Sequence, residues 1–115
     1  MPQIIELLNS AGISPFAKWR EKLDPTTRAR VTVGVFRLEA GNFSGVKGAG
    51  ESIFELRMDF GPGYRVYFGK DGEDLVILLG GGTKKRQEAD IRAAKVLWRE
   101  YKRTKWRGDG AKKEV

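Results

Sequence analysis

The sequence predicts an α+β domain of order β-α-α-β-β-β-α, a mostly antiparallel sheet with helices packed on one face. Three observations predict it. Two helical stretches, each opened by a capping residue and a proline, stand back to back near the N-terminus. Three strand-like runs follow between residues 52 and 82, separated by glycine-containing turns. One long amphipathic stretch comes after them. The length, 115 residues, is that of a single domain.

The first apolar run, "IIELL" at 4–8, reads as an opening or edge strand, broken by "NSAG". In "SPFAKWREKLD", Ser14 suits the N-cap and Pro15 the first turn, and Phe16, Trp19 and Leu23 fall on one helical face. Asp24-Pro25 repeats the start signal. The second helix, "PTTRARVTVGVFRLEA", places Val31, Val35 and Leu38 inward and ends at Gly41, with Gly34 and three β-branched neighbours working against it. "GNFSGVKGAGES", 41–52, reads as a glycine-rich loop that matches neither a P-loop nor a dinucleotide fingerprint.

In the strand "SIFELRMDF", Phe54, Leu56, Met58 and Phe60 share one face, and Ile53, Glu55, Arg57 and Asp59 the other. "GPG" turns the chain into "YRVYFG", where Tyr64, Val66 and Phe68 alternate with Arg65 and Tyr67. "KDGED" reads as a hairpin turn, and "LVILLGGG" is apolar on both faces, as a central strand requires. The last helix, "KRQEADIRAAKVLWREYKR", carries Ile91, Ala94, Trp98 and Tyr101 on one face with Leu97 beside them. Residues 1–105 form the expected domain, and 106–115 a basic, flexible tail.

Composition excludes several chemistries. With no cysteine and no histidine, there is no disulfide framework, no zinc site of the usual kind, and none of the commonest general base. No apolar run has membrane-spanning length, and the N-terminus lacks a basic leader region, so a soluble cytoplasmic protein without a membrane partner is expected. The net charge is +7. Residues 1–83 are neutral overall, with 10 basic and 10 acidic side chains, whereas 84–115 hold 12 basic and 5 acidic ones. An anionic partner is one reading of that asymmetry; a solvated helix with a basic tail is the other.

If helices cover one face of the sheet, then Glu55, Arg57, Arg65 and Tyr67 lie on the uncovered one. Lys84, Lys85 and Arg86 in "GGTKKRQ" then bring further charge to its edge. Arginine forks suit phosphate oxygens and a tyrosine offers a stacking platform. On such a face, truncating Arg65 is expected to cost little packing. Periodicity alone also accommodates an ordinary solvated surface with Glu55 in an ion pair.

Taken in order, "FAKWREKLDPTTRARV", "RLEAGNFSGVKGAGESIFELRMDFGPGYRVYF" and "LVILLGGGTKKRQEADIRAAK" resemble the RelE/ParE toxin superfamily, and most of all its phage-derived, HigB-like addiction-module branch. The resemblance spans about residues 3–101. It implies a RelE-like fold and a toxin held by a cognate antitoxin, a helix-turn-helix protein. It also implies metal-independent and cofactor-free cleavage of messenger RNA on the ribosome, in which the ribose 2′-hydroxyl attacks the adjacent phosphate. Carried over by position, Arg65 is the phosphate-stabilising arginine, Arg57 a charge-stabilising or proton-transferring residue, and Lys84 the basic residue after the last strand. Lys85 and Arg86 are RNA-backbone contacts, with Tyr67 beside them and Lys47 in the 41–50 loop. Glu55 stands where RelE-type enzymes have a second catalytic lysine, as a general base or an ion-pair partner, and Asp90 stands near a substrate-orienting tyrosine. The alternatives within the same fold are a ParE-like, non-nucleolytic inhibitor of DNA gyrase and an inactive prophage remnant that only binds antitoxin or nucleic acid.

Overall fold

The computed structural model describes residues 2–106 and, as backbone, 112–114. The remainder of the expected tail, 107–111 and 115, lies outside the described residues. The elements are β1 (Gln3–Leu7), α1 (Pro15–Glu21), α2 (Pro25–Glu39), β2 (Val46–Gly50), β3 (Ile53–Met58), β4 (Tyr64–Lys70), β5 (Leu75–Thr83), a 3₁₀ turn at Lys84–Arg86, α3 (Gln87–Trp106) and β6 (Lys112–Glu114). The sheet order is β2-β3-β4-β5-β1-β6. β1 runs parallel to β5 and every other pairing is antiparallel. The fold is α+β, as the sequence predicts. No helix among the described residues is long and apolar enough to cross a membrane.

The two N-terminal helices start where their caps stand. The Ser14 hydroxyl accepts from Ala17 N at 3.0 Å, the Asp24 carboxylate accepts from Thr27 N at 3.1 Å, and a proline opens each helix. α2 buries Val31, Val35 and Leu38 together with Gly34. A Cβ on Gly34 would meet Leu56 Cδ2 at 3.2 Å and Met58 Sδ at 3.3 Å. The residue that weakens the helix therefore lets it lie close to β3.

Two expectations need correction. First, the stretch 41–52 is not all loop, because 46–50 pairs with β3 as β2. Its glycines carry little strand propensity; the pairing comes from the partner's edge. Second, helices cover both faces of the sheet. α1 and α2 close a core of Phe16, Val31, Leu38, Val66, Phe68 and Leu78. α3 lies on the opposite face, where Ala94, Trp98 and Tyr101 pack on Ile5, Ile53, Tyr67, Ile77 and Leu79. The reason is visible in β5, whose Val76, Ile77, Leu78 and Leu79 are all at most 1% exposed. An apolar second face has to be covered, and α3 has the matching stripe.

Both helical layers rest directly on strand backbone at glycine. A methyl group on Gly81 would overlap the Trp19 indole, and one on Gly69 the Trp98 indole. We expect Gly81→Ala and Gly69→Ala each to destabilise the fold by about 1–3 kcal/mol through overpacking. Gly80→Ala, whose added carbon would meet nothing within 4 Å, is expected to cost much less. Urea denaturation of the three variants checks this, and equal losses would mean that the indoles are not what these glycines accommodate.

Candidate functional site

The sheet registers bring the expected side chains together. Arg57, Arg65 and Gly82 stand abreast on β3, β4 and β5, and Lys47, Glu55, Tyr67 and Gly80 form the neighbouring row. A β-bulge shifts the β4–β5 register between Tyr67 and Phe68. Above it, Ile77 and Leu79 face α3; beyond it, Gly81 faces Trp19 and Gly82 faces Asp90 of α3. The extra residue thus turns Gly82, rather than Gly81, toward α3 beside Arg65.

This polar half of the face lies under the first turns of α3 and is mostly buried. Arg65 is 4% exposed, Glu55 2% and Tyr67 1%. The uncovered, solvated surface anticipated from periodicity is therefore corrected: α3 roofs it. Truncating Arg65 to alanine would open a void here, contrary to the low packing cost expected for an exposed face. Tyr67 packs in the α3-side core, so its ring is not a stacking platform in this structure.

Each buried group has a distinct state. Glu55 Oε1 accepts from Arg57 Nε at 2.7 Å and from Gln87 Nε2 at 2.9 Å, and its Oε2 accepts from Gln87 Nε2 at 2.8 Å. The carboxylate therefore fastens β3 to α3 and orients Arg57, whose side chain is 32% exposed. Arg65 Nη1 donates to Tyr64 O at 3.1 Å and lies 3.9 Å from the exposed Asp59 carboxylate. Arg65 Nε, Tyr67 Oη and Asp90 Oδ2 are buried without hydrogen-bond partners among the described residues. Burial pushes the Tyr67 phenol well above its ordinary range, and the negative charges of Glu55 and Asp90 push it further, so it keeps its proton. Burial also raises the Asp90 carboxyl, against the pull of Arg86.

Lys84 N donates to Gly63 O at 2.7 Å, which ties the "GPG" turn beside Arg65 to the start of the 3₁₀ turn. Lys84, Lys85 and Arg86 are exposed. With Gln87, Glu88 and Arg92 they line a hollow of about 450 Å³ at the head of α3. Lys47 is exposed on β2 in register with Glu55. Gln87 and Arg92 had no place in the sequence-based site. The nearest signal for Gln87 was its position in "GGTKKRQ", next to the basic turn.

The chain belongs to the family described as Phage derived protein Gp49-like (DUF891), whose model matches residues 18–102. That family is of the RelE toxin type and compatible with a toxin of a toxin–antitoxin pair. An uncharacterized protein of Haemophilus influenzae is 44% identical over 86 residues, covering 74% of this chain and 87% of the relative. No solved structure is significantly similar to the chain.

The raised Asp90 carboxyl makes a stability prediction. As pH rises past the ordinary aspartate value of 3.8, the unfolded chain gives up this proton before the folded one does. The unfolded state then binds fewer protons, so this group's contribution to stability falls as pH rises through the raised folded value. Asp90→Asn removes that penalty. The variant should be more stable than the parent at neutral pH, and the difference should vanish in acid below the ordinary aspartate range. Chemical denaturation across that pH series measures both limbs.

Proposed function

We propose that the chain is the toxin of a phage-derived, HigB-like toxin–antitoxin pair, and that it cleaves translated messenger RNA on the ribosome without metal. The observation that carries this reading is the pair Arg57 and Arg65, abreast on neighbouring strands, with Arg65 Nε buried and unpartnered. Two guanidinium forks side by side on one face of the sheet suit a phosphodiester that gains charge during attack. The basic rim at Lys84, Lys85 and Arg86, with Lys47 on the β2 side, suits the flanking backbone of the same strand.

In this reading the ribose 2′-oxygen attacks the adjacent phosphorus, the bond to the 5′-oxygen breaks, and a 2′,3′-cyclic phosphate and a 5′-hydroxyl result. Arg65 and Arg57 hold the phosphate and stabilise the charge on its non-bridging oxygens. Lys84 adds charge at the rim. Glu55 acts as a positioning residue, because its oxygens are committed to Arg57 and Gln87. Tyr67 serves through its hydroxyl rather than its ring. The antitoxin partner is a helix-turn-helix protein that covers this face or prevents ribosome entry.

Arg65→Met is the appropriate probe, because an apolar side chain of similar length fills the buried volume left by the arginine. We expect it to retain the unfolding midpoint of the parent while cleavage falls about 10²–10³-fold. Arg65→Lys should recover part of the rate, since it keeps the charge and loses the planar fork. Single-turnover cleavage on programmed ribosomes, read by primer extension and paired with thermal unfolding, decides the matter. Intact messages with gyrase-dependent DNA damage on expression would transfer the chain to the non-nucleolytic ParE-like class.

A further inference from the structure

α2 has two apolar sides. Val31, Val35 and Leu38 face the core. Ala29, Val33 and Phe36, at i, i+4 and i+7, line the outer side, with Ala40 at the C-cap continuing the stripe. Val33 is 48% exposed and Phe36 59%. A helix with apolar stripes on opposite sides is built to have a neighbour on each.

The outer stripe borders a concavity. A hollow of about 360 Å³ separates α2 from the end of β3, lined by Ala29, Arg30, Val33 and Arg37 above and by Met58 and Phe60 below. The Arg30 guanidinium lies over the Phe60 ring, 4.4 Å from its centroid. Arg30 and Arg37, two turns apart on the exposed surface, have no carboxylate within ion-pairing distance among the described residues. On the other flank of the stripe, Arg20 of α1 donates to Thr32 at 3.0 Å beside a hollow of about 90 Å³. The one carboxylate in that lining, Glu6, keeps Oε1 buried.

We propose that this surface of α2 docks an acidic amphipathic helix of a partner protein. The partner's apolar side chains cover Val33 and Phe36 and enter the hollow over Met58 and Phe60, and its carboxylates meet Arg30 and Arg37. Charge and shape select this occupant. A second copy of the chain would set arginine against arginine, because both flanks of the stripe are cationic. A nucleic acid would satisfy the arginines and leave Val33 and Phe36 in water. A bilayer surface would cover the stripe but is too flat to fill the hollow. The surface belongs to the α1–α2 layer, opposite α3, so a helix seated on it leaves the basic hollow at the head of α3 open. The proposal does not depend on the ribonuclease reading.

The probe is a synthetic helical peptide with leucine along one face and glutamate on both flanks, paired with a counterpart carrying lysine in place of glutamate. Fluorescence anisotropy follows the titration of each labelled peptide with the full-length protein. We expect the acidic peptide to bind about tenfold tighter than the basic one. Phe36→Asp should weaken the acidic peptide about tenfold or more, and Arg30→Glu combined with Arg37→Glu should reverse the preference. All three positions are exposed, so these variants should keep the parental unfolding midpoint. Parental binding by Phe36→Asp would place the acidic peptide elsewhere on the chain and overturn the assignment. Equal affinity for the two peptides would overturn the stated chemistry of the partner. Sedimentation of the protein alone and flotation with vesicles of phosphatidylcholine and phosphatidylserine test the other occupants. Self-association or vesicle binding that Phe36→Asp abolishes would overturn the proposal in favour of a second copy or a lipid surface.

Discussion

The position of α3 depends on the absence of side chains at Gly69 and Gly82. Trp98 settles onto the backbone of β4 at Gly69, and Asp90 onto β5 at Gly82. Trp98 is 2% exposed and its ring stacks on Tyr101, with centroids 5.2 Å apart. These two seats, eight residues apart along the helix, fix both its height above the sheet and its rotation. Everything at the polar end follows from that placement. Gln87 reaches Glu55, Glu55 steadies Arg57, and Arg65 lies beneath, 4% exposed. The same packing that builds the α3-side core therefore makes the roof of the candidate site.

Local features of the chain were legible in sequence and non-local ones much less so. Ser14 and Asp24 announce their helices because a cap bonds to backbone three residues away. The shared face of Glu55, Arg57, Arg65 and Tyr67 was legible because strand alternation is local too. Whether that face meets water depends on α3, which folds back from a distance. The clue was present in the doubly apolar "LVILL", but alternation in β3 and β4 pointed to a solvated surface. β2 was missed for a related reason: "VKGAG" has poor strand propensity and is held by its pairing with β3. Asp90 was noticed by position, yet its burial against Gly82 follows only from the β5 bulge.

The basic excess of the C-terminal third divides into two populations. Arg99 donates to Glu51 through Nε and Nη2, and Lys105 reaches Asp71 at 2.5 Å, so part of the charge clasps α3 to the turns of the sheet. Exposed pairs of this kind add little stability each. Lys84, Lys85, Arg86 and Arg92 gather instead at the head of the helix, around the hollow next to the buried arginine. The net +7 is thus a poor guide to where an anion is met. The head of α3 is distinguished by four cations around one hollow, with Glu88 in its lining and Asp90 4.0 Å from Arg86.

The parallel pairing of β1 with β5 has a consequence for synthesis. Gln3 is in register with Leu75 and Ile5 with Ile77, so β1 lacks its parallel partner until β5, four strands later in the chain, has been made. The intervening strands pair in sequence, each with the one before, but α3 comes later still and closes the far side of the sheet. A nascent chain emerging from a ribosome therefore carries Arg57 and Arg65 for some time before Gln87 and Asp90 exist to complete their surroundings. Pairing over such separations is slow compared with local folding. The polar cluster under α3 is in this sense a late product of translation, since Gln87 and Asp90 follow β1 to β5 in the chain.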